Sequence, residues 1–144
     1  MKLFDGDIEK QYFLFTLGNR YFGVSIGEVV KVVSINKVYS APLLSEYLMG
    51  FILHEGKPVP LMSLKKRIGL SGDDRGDMVL IVRYDGDNLG FSIDGNYQVV
   101  QIEQELSPIP SDFKGVVKRF FKARGALDGK NFIILNVDAL AQSD

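Results

Sequence analysis

The chain of 144 residues has no cysteine and only one histidine. Without thiols there is neither a disulfide framework nor a thiolate zinc site, which fits a reducing compartment. A lone histidine, His54, cannot supply a His-based triad or a His-cluster metal site. Charge of one sign is also lacking. Seventeen Lys and Arg face eighteen Asp and Glu, a formal net charge of −1, so no global field gathers nucleic acid or anionic membrane. No apolar run reaches the length of a membrane span, and the first seven residues place acids where a signal peptide carries its apolar core, so a cytoplasmic protein is expected. Neither Gly-x-Gly-x-x-Gly nor the P-loop spacing occurs, which leaves no phosphate cradle to expect.

What the chain does contain is strand signal. At 46% hydrophobic and 24% charged it is long enough for one ordinary domain, or for two small subdomains sharing a core. Gln11 to Leu17, turning at Gly18-Asn19 into Tyr21 to Val24, reads as a hairpin. Val29 to Ile35 is rich in β-branched residues and reads as a strand, with Lys31 its only charge. Leu43 to Met49 suggests two helical turns. The stretch from Gly50 to Leu70 reads as strand, turn at Gly56-Lys57, strand, and a short basic helix capped by Ser63 and stopped at Gly69. Pro58 and Pro60 suit an edge or irregular strand there, since neither donates to a ladder. The polar loop Ser71 to Asp77 is the natural internal boundary. Strands follow at Met78 to Tyr84, Leu89 to Ile93 and Tyr97 to Ile102, the first two joined by a turn over Asp85 to Asn88. A helix over Asp112 to Phe121 capped by Ser111, and a last strand over Asn131 to Val137, complete the reading.

The second half echoes the first. Phe22-Gly-Val-Ser-Ile26 reappears as Leu89-Gly-Phe-Ser-Ile93, and each is followed by a further strand ending at Ile35 or Ile102. Gly56-Lys57 with Val59-Pro-Leu-Met-Ser-Leu64 returns in pattern as Gly129-Lys130 with Phe132-Ile-Ile-Leu-Asn-Val137. Two echoes in the same order imply a duplicated unit of roughly seventy residues, too small to be more than marginal alone. Two similar small barrels or sheets packed together as one domain over 1–144 are expected, with approximate halves 11–70 and 78–137 and exchange of strands between the halves left open.

No catalytic set emerges. His54 beside Glu55 reads as an exposed turn residue, because a general base needs an oriented partner and a pocket. Asp85-Gly-Asp-Asn-Leu-Gly90 starts like a calcium loop but puts Leu89 where an oxygen ligand belongs and Asn96 where the bidentate Glu should stand, so a hairpin turn is the better reading. Two basic clusters remain, Lys65-Lys66-Arg67 and the set Lys114, Lys118, Arg119, Lys122 and Arg124. With Phe113, Phe120 and Phe121 between them they offer the alternative of a small barrel binding single-stranded nucleic acid. The balanced charge argues instead for a solvated face or the rim of a protein interface.

Across Gln11 to Leu140 the chain resembles the CheW-type coupling proteins of bacterial chemotaxis. The resemblance rests on Phe13-Leu-Phe-Thr-Leu17, Tyr21-Phe-Gly-Val-Ser-Ile26, Gly50 and Gly56 flanking a hairpin, Val59-Pro-Leu-Met-Ser-Leu64, Leu89-Gly-Phe-Ser-Ile-Asp-Gly95 and Gly125-Ala-Leu. It implies a mainly β fold of two five-stranded SH3-like barrels related by a pseudo-twofold, with short helices. It also implies an adaptor without catalysis, cofactor or metal, whose partners are the regulatory domain of the chemotaxis histidine kinase and the helical tip of a chemoreceptor. By that resemblance Val29, Lys31, Gly50 and Gly56 stand at partner contacts, and His54, Glu55, Lys57 and Lys65 complete the candidate surface. The family commonly carries Asn-Leu-Arg-Gly at the hairpin where this chain has Leu53-His54-Glu55-Gly56, so a fork of donors gives way to a carboxylate. Ser63 stands where Asp is common.

Overall fold

The computed structural model describes residues 8–40, 45–70, 76–110 and 116–142. Among the described residues ten strands form two five-stranded sheets. One sheet holds β1 (Gln11–Leu17), β2 (Arg20–Ser25), β8 (Tyr97–Gln101), β9 (Phe121–Leu127) and β10 (Lys130–Leu135) in the order β8-β1-β2-β10-β9. The other holds β3 (Val29–Ser34), β4 (Leu48–His54), β5 (Lys57–Met62), β6 (Met78–Tyr84) and β7 (Asp87–Ile93) in the order β3-β6-β7-β5-β4. Neither sheet is built from one half of the chain. β1 and β2 complete their sheet with three late strands, and β6 and β7 complete theirs with three early ones.

The echo is geometric as well as textual. Leu14 lies opposite Gly23 in one sheet and Ile81 opposite Gly90 in the other, a shift of 67 residues along the chain. The parallel neighbours match too, Ile134 beside Gly23 and Leu61 beside Gly90. Both glycines sit where the strands on either side crowd the second, the antiparallel partner most closely. A Cβ on Gly23 would stand 2.5 Å from Leu14 Cδ2, and one on Gly90 would stand 2.8 Å from Val79 Cγ1. Past the last strand of each half, Ser63 and Asn136 cap α1 (Leu64–Ile68) and α2 (Val137–Ala141), their side chains accepting from the N–H of Lys66 and of Ala139.

Residues of β1 and β6 are buried on both faces, and the reason is a three-part core. Phe13, Phe15, Phe22, Leu80, Val82 and Phe91 meet between the sheets. The alternate residues, directed the other way by the period of two, fill a smaller core within each curled sheet: Leu14, Ile102, Phe132 and Ile134 in one, Ile52, Val59, Leu61, Val79 and Ile81 in the other. A strand serving two cores reads as a continuous apolar run.

Several local expectations shift. The turn between β4 and β5 is Glu55-Gly56, both at positive φ (52° and 77°), and Lys57 already pairs with His54. Asp85-Gly86 and Asp128-Gly129 repeat the pattern, the two-residue form in which both central residues are left-handed. Asp87 and Asn88 therefore belong to β7, and Lys130 to β10. β5 is not an edge, since it lies between β7 and β4. Its prolines are tolerated because the pairs Leu53–Pro58 and Phe51–Pro60 alternate with the hydrogen-bonded pairs counted from the turn, and β7 joins only at Leu61 and Met62.

Leu48 and Met49 are strand, not helix, while 41–44 lie outside the described residues. The helix expected over Asp112 to Phe121 gives way to a short 3-10 turn at Val116–Phe120, and Phe121 opens β9; Ser111 to Gly115 lie outside the described residues, as do 71–75 of the boundary loop. Val137 opens α2 instead of closing a strand.

Candidate protein-interaction site

The hairpin of β4 and β5 projects Glu55 into solvent with its side chain 81% exposed. His54 is different. It is a strand residue, its side chain is only 13% exposed, and its Nε2 stands 3.9 Å from Glu55 Oε1, a pair that carries charge on both sides only when the imidazole is protonated. His54 helps to line a cleft of about 210 Å³ with Val33, Ser34, Asn36, Lys37, Ile52 and Leu53. The curl of the sheet thus brings its two edge strands, β3 and β4, to one opening. Leu53 presents an exposed apolar side chain at its rim.

Behind this opening the scaffold is held by a close backbone approach. Tyr39 and Phe51 exchange N–H···O bonds of 2.8 and 2.9 Å, and their rings stack 5.2 Å apart. Gly50 lies beside them at φ +137°, where a Cβ would meet the Tyr39 carbonyl oxygen. The contribution of Gly50 is therefore to let two backbones touch. Lys37 Nζ lies 4.7 Å from the Tyr39 ring centroid, which places a cation at the same corner.

The sequence-derived residues do not form one patch. Lys31 is exposed and Val29 half-buried on β3, towards the strand's start, while the cleft gathers the residues at its end. Lys65 sits on α1, beyond the far end of β5 from the tip, about 20 Å away for a six-residue strand. The basic run around it is also divided. Arg67 is buried, its Nε donating to Leu140 O at 3.2 Å and its Nη2 to Gln142 O at 2.6 Å and Ala139 O at 3.4 Å. Its guanidinium lies 4.2 Å from the Tyr47 ring centroid and 4.7 Å from that of Phe120. Arg67 is thus an internal cap for the carbonyl end of α2. Ser63 is wholly buried, so the exchange of Asp for Ser concerns a cap that either residue satisfies.

Phe120 is buried and unavailable for base stacking, and Phe113 and Lys114 lie outside the described residues. Lys122 faces Glu28 instead. Burial raises the Glu28 carboxyl above its ordinary value; Lys122 pulls it down, Asp138 pushes it up, and a hydrogen bond from the Ser25 backbone lowers it.

Two surface residues escaped the sequence reading. Tyr97 and Val99 on the edge strand β8 are 46% and 55% exposed, and Tyr97 stacks on Phe13 at 5.3 Å. The echo gave no signal for them, since the shift of 67 residues maps them onto Val30 and Val32, which are half-buried on β3. Among the described residues no group of three or more His, Cys, Asp or Glu could hold a metal ion, and no helix is long and apolar enough to cross a membrane.

The family described as "CheW-like domain" matches residues 11–144. A chemotaxis protein CheW of Klebsiella aerogenes is 22% identical over 146 residues of alignment, covering 99% of this chain and 88% of that protein. One from Helicobacter pylori is 27% identical over 112 residues, covering 74% and 66%. The scaffolding protein TtCheW of Thermoanaerobacter tengcongensis has the same fold, with a TM-score of 0.87, 24% identity and coverage of 100% of this chain and 95% of that one.

Proposed function

Because the chain belongs to the CheW-like domain family, we propose that it is a non-catalytic adaptor coupling chemoreceptors to a chemotaxis histidine kinase. The family match across residues 11–144 carries the reading. The architecture suits it: two curled sheets on one shared core present several distinct edges, so two partners can be held by one body. In this reading the regulatory domain of the kinase and the helical tip of a receptor are the two partners. The adaptor works in the cytoplasm, attached to receptor arrays only through them.

The contacts assigned to this role are Val29 and Lys31 on β3 and the hairpin around His54, Glu55, Gly56 and Lys57, with Gly50 supporting the hairpin from within and Lys65 at the margin. An amphipathic helix docks on apolar side chains flanked by charge, which Leu53 beside Glu55 and Lys57 supplies. Glu55 replaces the arginine common in the family, so partners that meet this tip are selected by donors and not by acceptors. The test is calorimetric titration of the chain, and of Glu55→Arg, with the kinase regulatory domain and receptor fragments from its own cell. Glu55→Arg is expected to change affinity for at least one partner by about tenfold while leaving the unfolding midpoint nearly unmoved. Equal affinities for every partner would remove the tip from the interface.

A further inference from the structure

A cleft of about 590 Å³ opens on the other sheet, against β2, β10 and β9, away from the hairpin tip. Strand register explains its composition. Tyr21 lies beside Phe132 and Phe22 beside Ile133, and Ile133 lies opposite Arg124, so Phe22, Ile133 and Arg124 form one row across the sheet. Arg20 and Asn131 occupy the row before it on the same face. Arg20 and Arg124 are therefore two strands apart, roughly 10 to 12 Å between backbones, a gap that two arginine side chains can close around one anion. Ile109 adds an apolar side wall. Lys130 at the mouth lies 5.2 Å from the Tyr21 ring centroid.

Among the described residues, charge in this cleft is one-sided. No Asp or Glu is among its described lining residues, and neither arginine nor Lys130 makes an ion pair with a described residue. Two guanidinium forks flanking an apolar floor match a carboxylate or phosphate head with an apolar body, and the volume falls in the range of small-molecule sites. We propose that this cleft binds a small amphiphilic organic anion, its head between Arg20 and Arg124 and its body against Ile133 and Ile109. The site is independent of the adaptor surface and stands whether or not the chain couples receptor to kinase.

The test uses 2-naphthoate as the probe, the neutral 2-naphthylmethanol as its uncharged counterpart, and a Glu-rich peptide. Saturable amide shifts at Arg20, Gly125 and Ile133 are expected with 2-naphthoate, with binding by the alcohol weaker by about tenfold or more. Arg20→Gln with Arg124→Gln is expected to bring the anion's affinity down to that of the alcohol; both side chains are exposed, so the fold stays intact, and Lys57→Gln at the distant tip serves as an unaffected control. Equal binding of anion and alcohol, shifts scattered over the surface, or capture of the acidic peptide without the naphthoate would each overturn the proposal.

Discussion

Glu55 holds a positive φ of 52°, in the first position of a turn whose two counterparts use aspartate, Asp85 and Asp128. Asparagine and aspartate tolerate that backbone better than glutamate. Glu55→Asn is therefore expected to stabilise the chain by about 0.5 to 1 kcal/mol in urea unfolding; a loss of stability would mean that the Glu55 side chain supports the fold. Glu28 gives the pH counterpart. Its folded value is raised, chiefly by burial, so its contribution is fully present below the unfolded value near 4.5 and is lost as pH rises through the folded value. Glu28→Gln should thus gain stability relative to the natural chain as pH rises from about 4.5, then hold a constant lead. A difference independent of pH would show that Lys122 offsets the burial. The β4–β5 hairpin could be found from sequence, one residue out of place, because a glycine turn between apolar runs is a local signal. Arg67 could not, since a basic run reads the same whether its members face water or the carbonyls of a helix distant in the chain.

At the scale of elements, Arg67 ties α1 to α2, the two short helices that follow the last strand of each half. Five residues cannot sustain a helix alone, so each depends on its cap and its packing. Arg67→Met keeps the aliphatic stem but leaves the carbonyls of Ala139, Leu140 and Gln142 without their donor. A loss of about 2 to 4 kcal/mol in urea unfolding is expected, with Lys66→Met near neutral because that side chain is exposed. If both substitutions cost the same, the carbonyl cap is not what holds α2. Most strands were visible as apolar or β-branched runs. β9 was not: Phe-Lys-Ala-Arg-Gly-Ala-Leu alternates inward and outward correctly, yet alanine, glycine and charge give it little strand propensity. Its antiparallel ladder with β10 supplies what propensity does not.

The molecule as a whole is an exchange of strands between two repeats. Duplication and the hairpin pairs were legible, the first from the shared Gly-x-Ser-Ile pattern, whereas the strands that join one hairpin to another were not, because sheet pairing over about 30 to 110 residues leaves no local trace. Neither 1–70 nor 78–144 contains a complete sheet, so each fragment alone should lack cooperative unfolding, and the two together should recover it by circular dichroism. A fragment that folds independently would contradict the interleaved core. The adaptor role asks one more thing of this body, that both partners be held at once. The most direct measurement is sedimentation velocity of the chain mixed with the regulatory domain of the cell's chemotaxis kinase and a soluble receptor-tip fragment. A single ternary species larger than either binary complex is the expected result. Failure to bind either partner, or binding in which one displaces the other, would contradict it.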